Sequence, residues 1–503
     1  MTTKKIIGSV TLVFVAASVL LVFAVSFLPV KFVVLWTDVL IFILCAMCMG
    51  FAAYASQHEH LRAPWREVAR DRVGVIAVVF LSAYLVIGLL DSVHFRMPLP
   101  DVKQSTEQQY SNDVLSVLDW MATPVREGVE KSYSAPFAAH LYVKETVDLP
   151  DGSKVRLYPR LQHGGAHLNN PEQERSGDIL NTSLSSIFEG MVVWAVLTVL
   201  LISWLARRHH RPVSEMFGLV MRGRTEIPWH VILLATAILI LFAMLAMNLS
   251  GKYHIFGTDK VGQDTFYQTL KSIRTGLVIG TLTTLVMLPF AILAGIAAGY
   301  FRGLADDVIQ YVYTTLSSIP GVLLIAAAIL MLQVYMATHP ELFETAAARA
   351  DLRLLFLCII LGVTSWTGLC RLLRGEAMKL REMDYIQAAV AFGVGHFKII
   401  GRHILPNVMH IVLISIVLDF SSLVLAEAVL SYVGVGVDPT MNSWGNMINS
   451  ARLEMAREPI VWWPLLAAFI FMFVLVLSAN LFADAVRDAF DPRLRRSGLR
   501  ACL

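Results

Sequence analysis

The chain has 503 residues, 56% of them hydrophobic and only 16% charged, with a mean hydropathy of +0.63. That composition excludes an ordinary soluble globular protein and fits a polytopic membrane protein. The formal charge of +3 is small. Its arginines border apolar runs and form no patch on soluble structure, which argues against nucleic acid as a partner.

Lipid leaves no backbone polar group unpaired, so apolar runs of about 20 residues are expected as helices. In chain order the runs lie at 6–29, 33–54, 73–90, 187–206, 229–248, 272–299, 308–335, 352–370, 410–432 and 461–484. The expected fold is therefore all-α, with about ten transmembrane helices. The first run follows Lys4 and Lys5 without a small-residue cleavage pattern, which reads as a retained helix. Four of the five cysteines (Cys45, Cys48, Cys358, Cys370) lie in or beside spans, and Cys502 is one residue from the end. Their surroundings suit packing better than redox chemistry.

Threading ten helices alternately puts four arginine groups on one side. They are Arg62 to Arg72, Arg207 to Arg224, Arg371 to Arg381 and Arg487 to Arg500, joined by Lys4 and Lys5. The positive-inside rule makes that side, and both termini, cytoplasmic. The long segment 91–186 then faces outward. Within it Tyr142 to Asp148 and Lys154 to Tyr158 read as a hairpin turning at Asp151-Gly152, between loose polar flanks.

Beyond the fifth span, Gly257, Asp259, Gly262 and Asp264 form a Gly/Asp turn. It lacks the twelve-residue ligand spacing of a calcium loop. After the ninth span, Gly434 and Gly436 interrupt β-branched residues and Pro439 stops any helix, which suits a boundary or re-entrant segment. Trp444 suits a membrane interface. Asn480 and Asp484 lie one turn apart near the end of span ten, with Arg487 placed to pair with Asp484. His163 and His167 have i,i+4 spacing in a Gly/Asn-rich stretch, a weak metal signal. No G-x4-GK[ST] loop occurs, so any ATP hydrolysis belongs to another chain.

Between spans eight and nine, Asp384 reads as an N-cap with Gln387 at capping-box spacing. Tyr385, Ala388, Ala389 and Phe392 fall at i, i+3, i+4 and i+7 on one face, and Gly393 suits a left-handed stop. A second amphipathic piece, 396–404, runs to Leu405-Pro406, where a bend into span nine is expected. From the pattern alone this is equally an interfacial helix on lipid or a segment docked to a protein.

Asp384 to Asn407 resembles the cytoplasmic EAA loop of ABC-transporter permeases of the binding-protein-dependent import class, with Gln387 in place of its glutamate. Gly257 to Asp264 with Phe266, Leu270, Arg274 and Gly280 resembles the dipeptide/oligopeptide permease family, C-type subunit. So do Leu430 to Pro439 with Ser443-Trp444-Gly445, and Asn480, Asp484, Arg487-Asp488 and Asp491-Pro492-Arg493. The resemblance covers about 250–495. It implies a six-helix permease core, with 251–495 as its main part and a coupling segment at 384–406. Residues 1–60 are then an added helix pair, 61–250 carry spans three to five around the insert, and 496–503 are a tail. Trp65 to Leu90 also resembles the family's lead-in and first helix, so spans three and five compete as first core helix.

The resemblance further implies a second homologous permease subunit and two cytoplasmic ATPases carrying ATP and Mg. It adds a periplasmic solute-binding protein, an inner-membrane location and short peptides as cargo. No cofactor is expected on this chain. A membrane enzyme would need a convergent nucleophile or ligand set, and a secondary transporter would need mid-membrane charges in inverted repeats. The spans read as almost charge-free.

Overall fold

The computed structural model describes residues 31–98, 110–148, 154–339 and 345–490. Among them, nine helices are long and apolar enough to cross a membrane. The run at 6–29, the turn at 151–152, Cys502 and the signature residues 491–493 lie outside the described residues.

Strand β1 (Lys31–Val33) leads into α1 (Trp36–Gln57), a short amphipathic helix (Glu59–Val68) and α2 (Arg72–Asp91). Strands β2 (His94–Arg96) and β3 (Leu115–Ser116) complete an antiparallel sheet in the order β1-β2-β3, with Phe32 opposite Phe95 and Phe95 opposite Leu115. Strands β4 (Glu145–Asp148) and β5 (Lys154–Leu157) form the expected hairpin, with Val147 opposite Val155. The described parts of the flanks are packed: Tyr133, Leu141, Leu161 and Leu168 are all buried. Arg160 braces 165–168 by donating to the carbonyls of Gly165, Ala166 and Leu168.

Helix α3 (Pro171–His209) starts well before the expected span, and its 39 residues reach about 58 Å. That exceeds the roughly 30 Å hydrocarbon core, so its first turns stand in the insert. Helix α4 (Trp229–Ser250) pairs with it, Trp194 Nε1 donating to the Leu233 carbonyl at 2.9 Å.

Helix α5 (Thr265–Phe301) is the central element. Helix α6 (Leu304–Ser318) and α7 (Gly321–Thr338) follow, then α8 (Ala346–Ser365) and α9 (Thr367–Arg381), which together make one span. The expected span 308–335 is thus corrected. Pro320 has no N–H and forces Ile319 into extended backbone, so the run breaks there. Helix α6 carries Asp306 and Asp307 in its first turn, and Asp306 takes a two-pronged pair from Arg374 of α9 at 2.6 and 2.8 Å.

Helices α5 and α9 approach closely because Gly295 and Gly299 face α9. A Cβ at Gly295 would stand 2.8 Å from the Cys370 carbonyl, and one at Gly299 2.5 Å from the Arg374 carbonyl. Helices α10 (Asp384–Ala391), α11 (Leu405–Val433), α12 (Trp444–Glu454) and α13 (Trp463–Phe490) complete the chain. Helix α2 packs into the centre, with the Tyr84 hydroxyl donating to the Phe471 carbonyl at 2.8 Å. Helices α3 and α4 form a hairpin that leans on α2.

Candidate docking segment and the insert-end mouth

The bundle has two unlike ends. One carries 207–228, Arg302 and 371–404, and is called the basic end; the other carries the insert.

At the basic end, α10 begins at Asp384 itself. Met383 is the N-cap, in extended backbone and with no side-chain cap, and its carbonyl accepts from Ile386 N and Gln387 N at 2.9 and 3.1 Å. The expected capping box of Asp384 and Gln387 is therefore not made. The Gln387 amide instead donates to the Glu382 carbonyl at 3.3 Å. Asp384 still sits in the first turn, where its charge suits the helix dipole.

The expected face is only partly a face. Ala389 is half-buried, Tyr385 and Ala388 are exposed, and Phe392 is 87% exposed. The anchor is Ile386, fully buried with Ile399, Ile404, Leu373 and Ala377. Sequence reading passed over Ile386 because it interrupts the apolar i, i+3, i+4 pattern from Tyr385. Gly393 has φ +73°, and Val394 N donates to the Ala389 carbonyl at 3.0 Å, closing the helix as expected. Phe397 is also 87% exposed, a second apolar projection in the next short helix, His396–Ile399.

The segment is tethered to the end of α5. Arg302 pairs with Glu382 at 2.5 Å, Arg381 donates to the Tyr300 carbonyl at 2.8 Å, and the Tyr300 hydroxyl meets His396 at 2.9 Å. The expected bend at Pro406 is corrected. A π-helical turn spans Ile400–Ile404, Leu405 N donates to the Ile400 carbonyl, and Pro406 sits in the first turn of α11. One extra residue in that turn makes the room the proline ring requires, so 396–433 runs as one helix.

At the insert end, Asp264 caps α5 by accepting from Tyr267 N at 3.1 Å. Asp259 accepts from Val261 N and Gln263 N, both at 2.9 Å, and from the Gln268 amide at 2.8 Å. Gly257 and Gly262 have φ +61° and +78°, and a Cβ on either would overlap backbone of Ser134 or Glu130. The turn is thus a seat for the insert: Glu130 N donates to the Gly262 carbonyl and Ser134 N to Thr258 Oγ1.

Beside it, His254 Nδ1 lies 2.6 Å from Asp264, and its Nε2 lies 3.5 Å from Glu130. Burial disfavours a charged His254, yet hydrogen bonds and charge from Asp264 and Glu130 raise its pKa to about 9. Burial likewise opposes an ionised Glu130, but His254 and the backbone N–H groups of 162–164 hold its carboxyl down at about 2.

Helix α11 ends at Gly434 with φ +87°, and Gly436 packs onto Ser431. Pro439 is exposed, in a loop that folds back into α12. Trp444 is packed inside the chain. It is 1% exposed, fills the space above Gly276, and donates Nε1 to the Thr269 carbonyl at 3.2 Å. Glycine at 276 leaves the slot that takes the indole. The Glu427 carboxylate, also buried, accepts from Ser431 at 2.7 Å.

The spans are almost charge-free, as expected, but their insert ends carry buried charges. Lys271 of α5 pairs with Asp91 and Asp119 at 2.8 and 2.9 Å. Arg274, one turn on, pairs with Asp38 at 2.5 Å and Asp351 at 3.6 Å. Four of the counter-ions to these two cations thus come from α1, α2, the insert and α8. Lys271 and Arg274, one turn apart where the chain enters the apolar run, are the signal that could have revealed them. The expected Asp484–Arg487 bridge is absent among the described residues. Asn480 instead ties α13 to α11 by accepting from Ser421 at 2.7 Å, while Asp484 faces outward.

The fold and this arrangement define a multi-pass helical membrane permease. Residues 291–496 match the family described as the binding-protein-dependent transport system inner membrane component. The chain is 32% identical over 252 residues to the oligopeptide transport system permease protein OppC of Mycobacterium tuberculosis, covering 50% of this chain and 80% of that one. It is 30% identical over 243 residues to the glutathione transport system permease protein GsiD of Pectobacterium atrosepticum (48% and 73%). It is 28% identical over 243 residues to the dipeptide transport system permease protein DppC of Bacillus subtilis (48% and 70%). The chain belongs to the dipeptide/oligopeptide permease family of ABC importers and is a transport subunit without an ATPase site of its own.

Proposed function

We propose that the chain is the inner-membrane permease subunit of an ATP-driven importer of short peptides, with both termini cytoplasmic. The basic end is then the cytoplasmic end, which the arginine placement supports. A second homologous permease completes the path, and a periplasmic solute-binding protein delivers cargo to the insert end. Two cytoplasmic ATPases hold the ATP and Mg, and one receives residues 384–406.

The observation that carries this reading is the build of α10. It is anchored by Ile386, and Phe392 at its end and Phe397 in the following short helix are each 87% exposed. An aromatic side chain left in water gains about 1.5–3 kcal/mol when a partner buries it. A push on α10 travels by two routes. One runs through Ile386 into α9; the other runs along the continuous helix 396–433 to Gly434 and Glu427 at the mouth. The packing of α2 against α5 and α13 favours α2 over α4 as the first core helix, the core being α2, α5, α7, α8–α9, α11 and α13.

Affinity purification from native membranes tests the assembly, with a second permease, ATPases and a binding protein expected to come along. Uptake by that complex of peptides of graded length tests the cargo. A chain that purifies alone and transports unaided would overturn the reading. Orientation is tested by labelling Asp178→Cys and Ser214→Cys: an impermeant thiol reagent should reach only the former in intact cells.

A further inference from the structure

Helix α1 is held at its two ends. Near its start, Asp38 and Thr37 bind Arg274, each within hydrogen-bond distance. Beyond its C-terminus the helix Glu59–Val68 packs onto α13. Past Leu40 and Ile41, which pack on the core, α1 stands away from it, and a Cβ at Gly50 would meet nothing within 4 Å. The gap is a cavity of about 760 Å³, lined by Met47 and Phe51 of α1, Leu288 of α5, Leu413 and Val417 of α11 and Phe482 of α13. It is a groove open along one side, lined almost wholly by apolar side chains, and so suited to an acyl chain.

The occupant's shape and chemistry follow from the lining. The α1 lining residues run from Leu44 to Ser56, about 18 Å along the helix, close to half the hydrocarbon core and so to one leaflet. Arg62 and Trp65 also line the cavity, at its basic end. The carboxylate paired with Arg62 is Glu59, a loose 3.8 Å away and itself mostly in solvent, so the guanidinium is open to a stronger anion. A basic residue closing an apolar slot between helices is the recognition chemistry of an anionic phospholipid. A second apolar cavity, between α2, α4, α5 and α13, measures about 570 Å³ and has no charged residue in its lining. It serves as the internal contrast.

We propose that one anionic phospholipid of the basic-end leaflet occupies the α1 cavity, its acyl chain between α1 and α11 and its phosphate on Arg62. Leu413 and Val417 belong to the helix that continues from the docking segment, so the lipid lies against the element that moves in the proposed stroke. That consequence rests on the proposed function; the binding does not.

Cys48 lines the same cavity and carries the test. The full chain is reconstituted in phosphatidylcholine nanodiscs with a fluorophore on Cys48, in a Cys45→Ser, Cys502→Ser background in which the two remaining cysteines, Cys358 and Cys370, are buried. Acyl-brominated phosphatidylglycerol or acyl-brominated phosphatidylcholine is then titrated in. One arginine near the surface is worth about 1 kcal/mol, or about fivefold. Brominated phosphatidylglycerol should therefore half-quench at about one-fifth the concentration of brominated phosphatidylcholine. Arg62→Gln should equalise the two and Arg62→Lys should keep the preference. Equal quenching by both lipids in the unaltered chain overturns the head-group site, whatever the variants do. No quenching by either means protein fills the cavity and overturns the proposal entirely. ATPase partners are not needed, so failure here is distinct from failure of the transport reading.

Discussion

The insert end and the basic end of this bundle are finished to different degrees. At the insert end, buried cations meet carboxylates from several segments, glycines seat one backbone against another, and Trp444 closes the space above α5. At the basic end, α10 has one buried residue, and the segment 384–397 exposes Tyr385, Val390, Phe392 and Phe397. The first end is stabilised by its own chain and resists change. The second leaves apolar side chains in water, and the proposed docking to an ATPase would cover them. Variants at the two ends should accordingly fail in different assays.

The largest effect is expected from Lys271→Met. It leaves Asp91 and Asp119 without their buried cation, and breaking such a pair costs about 3–5 kcal/mol. Thermal unfolding of the purified chain and proteolysis of the insert should both show the loss. A chain that melts unchanged would remove the insert end's claim to self-sufficiency. Phe392→Ala should behave in the opposite way. The melting point stays put because the ring is in water, while ATPase association weakens by about 1.5–3 kcal/mol, roughly tenfold or more. Gly393→Val comes next. A β-branched residue at φ +73° stores about 1–3 kcal/mol of strain with no atom nearby to clash. Co-purification with the ATPases should fall, membrane insertion should not, and Gly393→Asn should recover most of the association, since asparagine tolerates that conformation.

How much of this was legible in the sequence depends on whether a feature is local. Span positions, the hairpin at 145–157 and the stop at Gly393 follow from local pattern, because each depends on a few neighbouring residues. The seat of the insert on Gly257 and Gly262 does not, since its partners Ser134 and Glu130 are more than a hundred residues away. Pro320 was visible as a breaker, yet a long apolar count hid it inside one span. The capping box at Asp384 failed because a favourable side-chain spacing lost to the backbone carbonyl of Met383. The packing of Trp444 was hidden because an interfacial preference says nothing about a slot left by Gly276 on another helix. Local rules read turns and stops such as Gly393 and the 145–157 hairpin; they miss contacts made between elements, Ile386 under α9 at the basic end as much as Trp444 over Gly276 at the other.

The smallest expected effect probes that long-range packing through pH. His254 faces Asp264 and Glu130, and its pKa in the folded chain is raised to about 9, against an ordinary value of 6.5. A raised folded pKa gives stability that is whole below 6.5 and is lost as pH rises through 9. Glu130 is depressed to about 2 from 4.5, so its share is present above 4.5 and is lost as pH falls toward 2. The insert should therefore be held most firmly between about 4.5 and 6.5. Between pH 6.5 and 8 the loss is on the order of 1–2 kcal/mol. Hydrogen exchange at 130–134 and 257–264 reads the docking directly, and protection there should fall across that interval. His254→Gln should lower protection at pH 6 and flatten the profile above it. The docking segment at 384–397, which makes no contact with this triad, should keep the same exchange rates, corrected for the intrinsic effect of pH, at every step of the titration. A parallel change at both ends would mean that pH acts on the whole bundle, and the contrast between its ends would dissolve.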